Sequence, residues 1–290
     1  KDLEMANLKE IRNRISSIGS TMQITSAMKM VSAAKLKKAQ DAITAMRPYS
    51  SKLTELLQNL SATLDSDVGG AYSKQREVSK VLLVVVTSNR GLCGGFNSSV
   101  IKETTQNIAA NYQDVDLDLL TIGKKGNDIL SKSYSVIDSR NDIYDNLTFD
   151  YVAEVAEKIM KLYVAGTYDK IEIIYNRFKN AATQIPKVEQ FLPIQPLEES
   201  ANSNADYIFE PSKESIILEL IPKSLKNQLY KAVRDSFAAE HGARMTAMHK
   251  ATDNATELRD ELKLMYNKAR QAAITNEILE IVGGAEALKN

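Results

Sequence analysis

Apolar side chains recur at alternating intervals of three and four residues along the N-terminal part of the chain. The series is Leu8, Ile11, Ile15, Ile18, Met22, Thr25, Lys29, Ser32, Leu36, Ala39, Ile43, Met46, Ser50, Leu53, Leu57, Leu60 and Leu64, with four polar interruptions. A repeat averaging about 3.5 residues is typical of a helix that packs along another helix as a coiled coil. The pattern predicts a helix over 5–68, kinked near Arg47 because Pro48 removes a backbone hydrogen bond.

A second long helix is predicted at the other end of the chain, over 211–290. Its apolar and small residues keep the same spacing at Met248, Ala251, Ala255, Leu258, Leu262, Met265, Ala269 and Ala272. Beyond this stripe, residues 274–282 are apolar on more than one face. An isolated helix of that kind would be poorly soluble, so we expect another chain to cover it.

Between the two helices, strand-like and helix-like segments alternate across 76–205. Strands are predicted at 81–87, 117–122, 171–175 and 188–192, and helices at 98–110, after Gly123, and at 151–164. This alternation is typical of an α/β layer in which helices pack on a largely parallel sheet. The chain is therefore predicted to be an α/β protein with a compact domain inserted between two long helices.

Length favours one arrangement of these helices. About sixty helical residues span about 90 Å, whereas a compact globule of this size has a radius of gyration of about 19 Å. We therefore expect the two helices to pair as an antiparallel coiled coil that projects from the central domain. An all-α bundle remains the alternative, with its helices folded back at Pro48 and Gly242.

Composition excludes several classes of protein. The 37 basic and 37 acidic residues cancel, which argues against a strongly cationic nucleic-acid binder. The longest purely aliphatic run is about six residues, at 81–86, far short of the roughly 18–20 that a membrane-spanning helix needs. Cys93 is the single cysteine, so no internal disulfide is possible. Met5 followed by Ala6 resembles a natural start, with residues 1–4 preceding it.

The zero net charge hides a strong segregation of charge. Residues 5–47 carry eight basic and two acidic side chains, and residues 223–270 carry ten basic and six acidic ones. Along a coiled coil, the first run would form a basic belt suited to an acidic protein partner or to nucleic acid. Aromatic side chains, which stack on single-stranded bases, are absent from the first 47 residues, so the protein partner is favoured.

Candidates for chemistry are few. His241 and His249 are eight residues apart, too far for a metal-binding pair on one helical turn, and no cysteine lies near them in the sequence. The glycine-rich loop 88–97 stands after a strand and before a helix, where a phosphate cradle would lie. It lacks both the Lys-Ser/Thr ending of a P-loop and the spacing of a dinucleotide fingerprint. A tight turn is the favoured interpretation, and a nucleotide site stays open.

Four segments carry a family resemblance. They are ITSAMKMVSAAK at 24–35, RGLCGG at 90–95, the run from Ala243 through Ala255, and ITNEILEIVGGAEA at 274–287. In this order they resemble the gamma subunit of F-type ATP synthases, in its bacterial-like form, and the resemblance extends from Met5 to the end. The tail signature comprises Ile274, Thr275, Glu277, Glu280, Gly284 and Ala285.

The resemblance implies a rotating central shaft. The two terminal helices would stand inside a ring of three alpha and three beta subunits, and the middle, Rossmann-like domain beside epsilon and the c-ring of the membrane sector. Such a chain couples ion flow to ATP synthesis or hydrolysis without a catalytic centre, cofactor or metal of its own, because alpha and beta bind ATP, ADP and Mg. The implied location is the cytoplasmic face of the bacterial inner membrane, with the mitochondrial matrix face as the alternative.

Residue roles are carried over from the same resemblance. Met28 would face the acidic loop of a beta subunit, and Arg244 and Gln271 would catch the collar of catalytic subunits. Thr275 and Glu277 would be coupled to Met28 across the two helices. The basic belt that faces the acidic loops comprises Arg12, Arg14, Lys29, Lys35, Lys37 and Lys38.

Two other functions stay open at the level of sequence. A coiled-coil scaffold with a nucleotide-sensing α/β domain would need the Gly91–Gly95 loop to bind phosphate. A nucleic-acid binder would use the basic belt, and its affinity would fall steeply with salt.

Overall fold

Two very long helices flank an α/β domain in the computed structural model, which describes residues 2–61, 70–194 and 213–287. The flanking helices are α1, Asp2–Ser61, and α5, Lys213–Ala287. The domain between them consists of β1 Lys80–Val86, α2 Phe96–Asn111, β2 Asp116–Ile122, α3 Lys124–Leu130, β3 Ser135–Arg140, α4 Phe149–Val164, β4 Lys170–Phe178 and β5 Gln184–Leu192. The parts of the predicted segments that fall in 62–69, 195–212 and 288–290 lie outside the described residues.

The strands form one sheet in the order β3-β2-β1-β4-β5. The first four strands run parallel, and β5 pairs antiparallel with β4 at the edge. Helical crossovers return the chain to the same end of the sheet, as parallel pairing requires. The predicted α/β class is confirmed, and the all-α alternative is wrong.

The middle strand β1 shows why the sheet forms here. Its side chains alternate between the two faces, and 81–86 are fully buried on both. Leu82, Val84 and Val86 share a core with α4 and α5, whereas Val81, Leu83 and Val85 share another with α2 and α3. Helices on both faces explain why a parallel central strand is an unbroken apolar run.

One strand was not predicted. β3 has the sequence SVIDSR and lies at the edge of the sheet, with its side chains half-buried or exposed. A strand that faces little core needs no apolar run, so periodicity gave no signal there. The helix α1 continues through Pro48, as the single predicted helix requires, and the kink near Arg47 stays a prediction.

The chain divides into two compact units. The sheet unit is Ser32–Arg244, and the helix-pair unit combines Lys1–Val31 with Met245–Asn290. Within the helix-pair unit the two segments are antiparallel, because Arg12 contacts Tyr266 whereas Thr25 contacts Thr252. The antiparallel pairing predicted from the two stripes is therefore present in this unit.

The predicted stripe on α5 is wrong in part. Met248 and Leu262 are buried, but Leu258 and Met265 are 47% and 56% exposed. Ala251, Ala255 and Ala269 of the predicted stripe are half-buried, and Ala272 is exposed. The side chains that contact α1 also include four outside the stripe, Thr252, Thr256, Arg259 and Tyr266. A search for apolar spacing omits these residues because their side chains end in hydroxyl, guanidinium or phenol groups. Their aliphatic and aromatic carbon atoms nevertheless pack well against a neighbouring helix.

Gly123 offers a direct test of the sheet unit. Its φ of +99° favours glycine, and a Cβ there would overlap the carbonyl oxygen of Thr87. We expect Gly123→Ala to lower the free energy of unfolding by about 3 kcal/mol, measured by chemical denaturation. Gly91→Ala is the control, because a Cβ at Gly91 meets nothing within 4 Å, and it should change stability by less than about 0.5 kcal/mol. Equal effects of the two substitutions would contradict this account.

Candidate coupling surface

Catalytic groups do not converge in the part of the chain that the structure describes. No group of three or more His, Cys, Asp or Glu side chains there could hold a metal ion. A hollow of about 360 Å³ in the sheet unit is lined by Met46, Tyr49, Phe149, Asn227 and Tyr230. The Asn227 amide already donates to the Ser50 hydroxyl at 2.9 Å. None of the described helices is long and apolar enough to cross a bilayer.

The glycine-rich loop after β1 is closed by its own side chains. The Ser88 amide donates to Asn97 Oδ1 at 3.0 Å, and the Ser88 hydroxyl donates to the carbonyl of Arg90 at 2.7 Å. Asn97 Nδ2 donates back to the Ser88 hydroxyl at 2.8 Å. Cys93 is buried beside them. The polar side chains of Ser88 and Asn97 at the start of α2 are therefore engaged with each other.

The neighbouring loop after β2 is closed in the same way. Asn89 Oδ1 accepts the amide of Lys124 at 3.0 Å, and the Thr87 hydroxyl accepts the amide of Gly126 at 2.8 Å. Asn89 also donates to the carbonyl of Asn141 at 2.6 Å. The carboxyl edge of a parallel sheet is the usual place for a nucleotide, but here it is filled by internal hydrogen bonds.

Arg244 is part of this closure. It is only 7% exposed, and it donates to the carbonyls of Gly91 and Arg90 and to Glu240. Burial raises the pKa of the Glu240 carboxyl, and the ion pair with Arg244 opposes that shift. The guanidinium therefore holds the glycine loop against α5. Its contact with a collar of catalytic subunits stays a prediction.

His241 lies next to this ion pair and has an unusual environment. It is 5% exposed, and neither ring nitrogen has a hydrogen-bond partner among the described residues. The ring of Phe237 packs edge-on against it, 4.5 Å away between centroids. Burial first, and then the charges of Lys35 and Arg244, lower the pKa of His241 to about 4. The imidazole is therefore neutral at pH 7.

Most residues predicted to act at the tip of the shaft are exposed in the helix-pair unit. Gln271, Thr275 and Glu277 all face solvent, and the Thr275 hydroxyl donates to the carbonyl of Gln271 at 2.9 Å. The signature residues Ile274, Glu280, Gly284 and Ala285 are exposed too, and Met28 is half-buried.

The register of the pair keeps these residues apart. His249 lies opposite Lys29, so Met28 is level with the start of the α5 segment. Thr275 lies about 35 Å further along α5 than Thr252, which is the partner of Thr25. Met28 therefore makes no direct contact with Thr275 or Glu277, and coupling between them would have to pass through another chain.

Apolar surface is concentrated on the helix-pair unit. Eleven of the nineteen exposed large apolar side chains among the described residues belong to it, although it is much the smaller unit. They are Ile24, Met30, Val31, Leu258, Leu264, Met265, Ile274, Ile278, Leu279, Ile281 and Val282. A cluster of this kind marks a surface that another chain covers.

The basic belt is only partly available to a partner. Arg12 donates to the Tyr266 hydroxyl at 2.7 Å, and Arg14 pairs with Glu10 at 2.7 Å. Lys29 Nζ lies 3.3 Å from His249 Nδ1. In the sheet unit the belt continues as Lys35, Lys37 and Lys38, all exposed, with Lys37 3.7 Å from Asp41.

These features define a class of protein. An α/β unit with a self-closed sheet edge, together with a helix pair that exposes its apolar side chains, is typical of a subunit that other chains cover in a larger assembly. A family model described as ATP synthase matches residues 7–288. The chain is also 72% identical to an ATP synthase gamma chain from Flavobacterium psychrophilum over 286 residues, covering 98% of this chain and 100% of that relative.

A second gamma chain, from Flavobacterium johnsoniae, is likewise 72% identical, with 98% of this chain and 99% of the relative covered. The chain belongs to the ATP synthase gamma chain family. It is the central shaft of an F-type ATP synthase, a non-catalytic subunit of a complex whose catalytic sites lie on the beta subunits.

Solved structures agree on the fold. The central stalk and c-ring structure of the Tetrahymena thermophila mitochondrial ATP synthase contains a chain 27% identical to this one, with a TM-score of 0.61. The match covers 79% of this chain and 99% of that one. A chain of the Euglena gracilis mitochondrial enzyme in rotational state 3 is 23% identical, with a TM-score of 0.70 over 98% of this chain and 95% of its own length.

The buried histidine predicts a specific pH dependence. Because the folded pKa of His241 is about 4 and its ordinary value is 6.5, only the unfolded chain takes up this proton as the pH falls below 6.5. Stability is therefore full above pH 6.5 and falls by about 2 kcal/mol by pH 5. Denaturation at both pH values should show that His241→Gln removes this loss.

His249→Gln is the matched control, since it replaces an exposed histidine on the same helix. It should keep the wild-type loss. The same loss of stability in His241→Gln as in wild type would contradict a neutral, buried imidazole.

Proposed function

We propose that this chain turns inside a ring of three alpha and three beta subunits and so couples ion flow through the membrane sector to ATP synthesis and hydrolysis at beta. Epsilon and the c-ring are its other proposed partners. The observation that carries the proposal is the concentration of exposed apolar side chains on the helix-pair unit. Water is a poor environment for such a surface, and a surrounding ring would cover it.

The C-terminal part of the helix pair favours a partner surface that is apolar. Ile278, Leu279 and Ile281 are 54%, 63% and 72% exposed. Residues 271–287 contain no lysine or arginine, and their charges are those of three glutamates. Covering such a segment with apolar side chains removes it from water without burying cations that lack a partner.

The lysines near the start of the sheet unit favour an acidic contact. Lys35, Lys37 and Lys38 are exposed on one stretch of α1, and 11–40 contain no acid. Acidic loops on beta would be attracted to this stretch. Because each angle of the shaft presents it to the three beta subunits unequally, it can shift their conformational populations differently.

The same proposal implies where the complex is located in the cell and which subunits bind its nucleotides. The complex would sit on the cytoplasmic face of the bacterial inner membrane, with this chain held there through its partners. ATP, ADP and Mg would bind to alpha and beta and not to this chain, which is supported by the closed edge of its sheet. A nucleotide-sensing scaffold is not favoured, because its Gly91–Gly95 loop would have to open first.

Assembly is the first test. Co-expression of this chain with its cognate alpha and beta subunits should yield one complex, with a native mass that corresponds to three alpha, three beta and one copy of this chain. The purified complex should hydrolyse ATP. Recovery of this chain free of alpha and beta, or in several copies per ring, would contradict the proposal.

The exposed lysines provide a second test. Replacing Lys35, Lys37 and Lys38 with Gln should change the ATPase rate of the assembled complex by about two- to tenfold, because rim charges mainly alter rates and salt dependence. The thermal midpoint of the chain alone should hardly move, since exposed charges contribute little to stability. The control replaces Lys102, Lys132 and Lys161, exposed lysines elsewhere in the sheet unit. Equal rates for both triple variants would count against an electrostatic contact.

A further inference from the structure

Arg12 and Tyr266 make the most directional contact between the two segments of the helix-pair unit. Arg12 Nη2 donates to the Tyr266 hydroxyl at 2.7 Å, and its guanidinium carbon lies 5.6 Å from the centroid of the same ring. A hydrogen bond and a cation–π contact therefore join the same two side chains. The residues are 254 positions apart in sequence, so the contact links the two antiparallel helices.

The rest of the pair leaves its register weakly specified by shape. Among the side chains described in this unit, only Thr25, Met248 and Leu262 are buried. Small residues such as Ala255 and Ala269 line part of the same seam. On α1, Ile11, Ile15, Ile18 and Met22 are half-buried and contribute larger apolar side chains. The small and hydroxyl-bearing side chains of α5 discriminate less between the native partner and a shifted one, so shape alone specifies the register weakly.

Polar contacts occur at several levels instead. The Thr25 and Thr252 hydroxyls are 2.8 Å apart, and the Thr256 hydroxyl oxygen lies 3.2 Å from Met22 Sδ. The Arg12 contact lies about 20 Å from the threonine pair along α1. A slide of one turn, about 5.4 Å, would break all of them. Polar groups in a helical seam are known to fix register at some cost in stability.

We propose that Arg12 and Tyr266 are positioning residues that lock the register of the two shaft helices. Its place in the basic belt predicts that Arg12 contacts an acidic loop of another subunit. On this proposal it contacts the other helix of the same chain instead. The lock keeps the surfaces of α1 and α5 in phase, so that torque turns the pair as one body. This inference rests on the shaft function, because register matters to catalysis only if the pair transmits rotation.

Conservative substitutions distinguish a residue that fixes the helix register from one that only contributes positive charge to the basic belt. Arg12→Lys keeps the positive charge but loses the planar guanidinium, and Tyr266→Phe keeps the ring but loses the hydroxyl that accepts the hydrogen bond. Two spin labels, at Ser17→Cys and Glu261→Cys in a Cys93→Ala background, would report the register in the full chain and in the assembled complex. Both label positions are exposed, one on each helix. The same variants, without labels, would be assayed for ions pumped per ATP hydrolysed.

We expect each conservative substitution to raise the population at shifted label distances by about two- to fivefold, and to lower the number of ions pumped per ATP. The double variant should be no worse than either single one, because the interaction is lost once. Lys263→Arg is the control, since Lys263 is 54% exposed, lies outside the basic belt and is 3.9 Å from Asp260 on its own helix. It should leave both readouts unchanged.

Three outcomes would overturn the lock. In the first, Arg12→Lys and Tyr266→Phe leave both readouts unchanged whereas Arg12→Gln impairs them. In the second, the effects of the two single substitutions add in the double variant. In the third, Lys263→Arg has the same effect as Arg12→Lys. The label distances in the chain alone test the lock even if the wild-type chain fails to assemble with alpha and beta. In that case the shaft function fails, and the register result stands by itself.

Discussion

Because the helix pair buries few of its own side chains, directional polar contacts and a surrounding chain have to determine its geometry. A two-helix coiled coil normally gains its stability from an apolar seam. Here the seam holds the Thr25–Thr252 hydroxyl pair and the Arg12–Tyr266 contact, while Leu264 and Ile281 point to solvent. This distribution suits the proposed shaft, because the exposed surface is apolar and the contacts between the two helices are specific.

The sheet unit follows the opposite rule. Its central strand is fully buried on both faces, so the fold is stabilised by its own core. Nucleotide-binding relatives of this architecture leave amides free at the carboxyl edge. Here Asn97, Asn89 and Thr87 occupy that edge, and Arg244 fastens the loop to α5. The sheet edge that binds a nucleotide in other proteins of this architecture is therefore occupied here by contacts within the chain.

Periodicity was sufficient for the parts of the chain that are governed by apolar burial. The run 81–86 predicted the central strand, and the stripe on α1 predicted the buried Leu36 and Ala39. It failed where polar side chains do the packing. The edge strand β3 faces little core, and the half-buried face of α5 passes through Thr252 and Tyr266 instead of Leu258. In both places the structure depends on partners across space, which no spacing rule contains.

Charge counting has the same limit, and Arg12 and Lys37 show it. Both belong to one basic run and contribute equally to its net charge. Lys37 is 80% exposed, with its ammonium group 3.7 Å from Asp41, so its field reaches a partner with little cost of rearrangement. Arg12 would first have to give up a hydrogen bond and the face of an aromatic ring. A guanidinium fits such a site better than an ammonium group does. On the proposed function, two cations of equal formal charge would thus divide between binding another subunit and joining the two helices, and what each one already contacts would set the division.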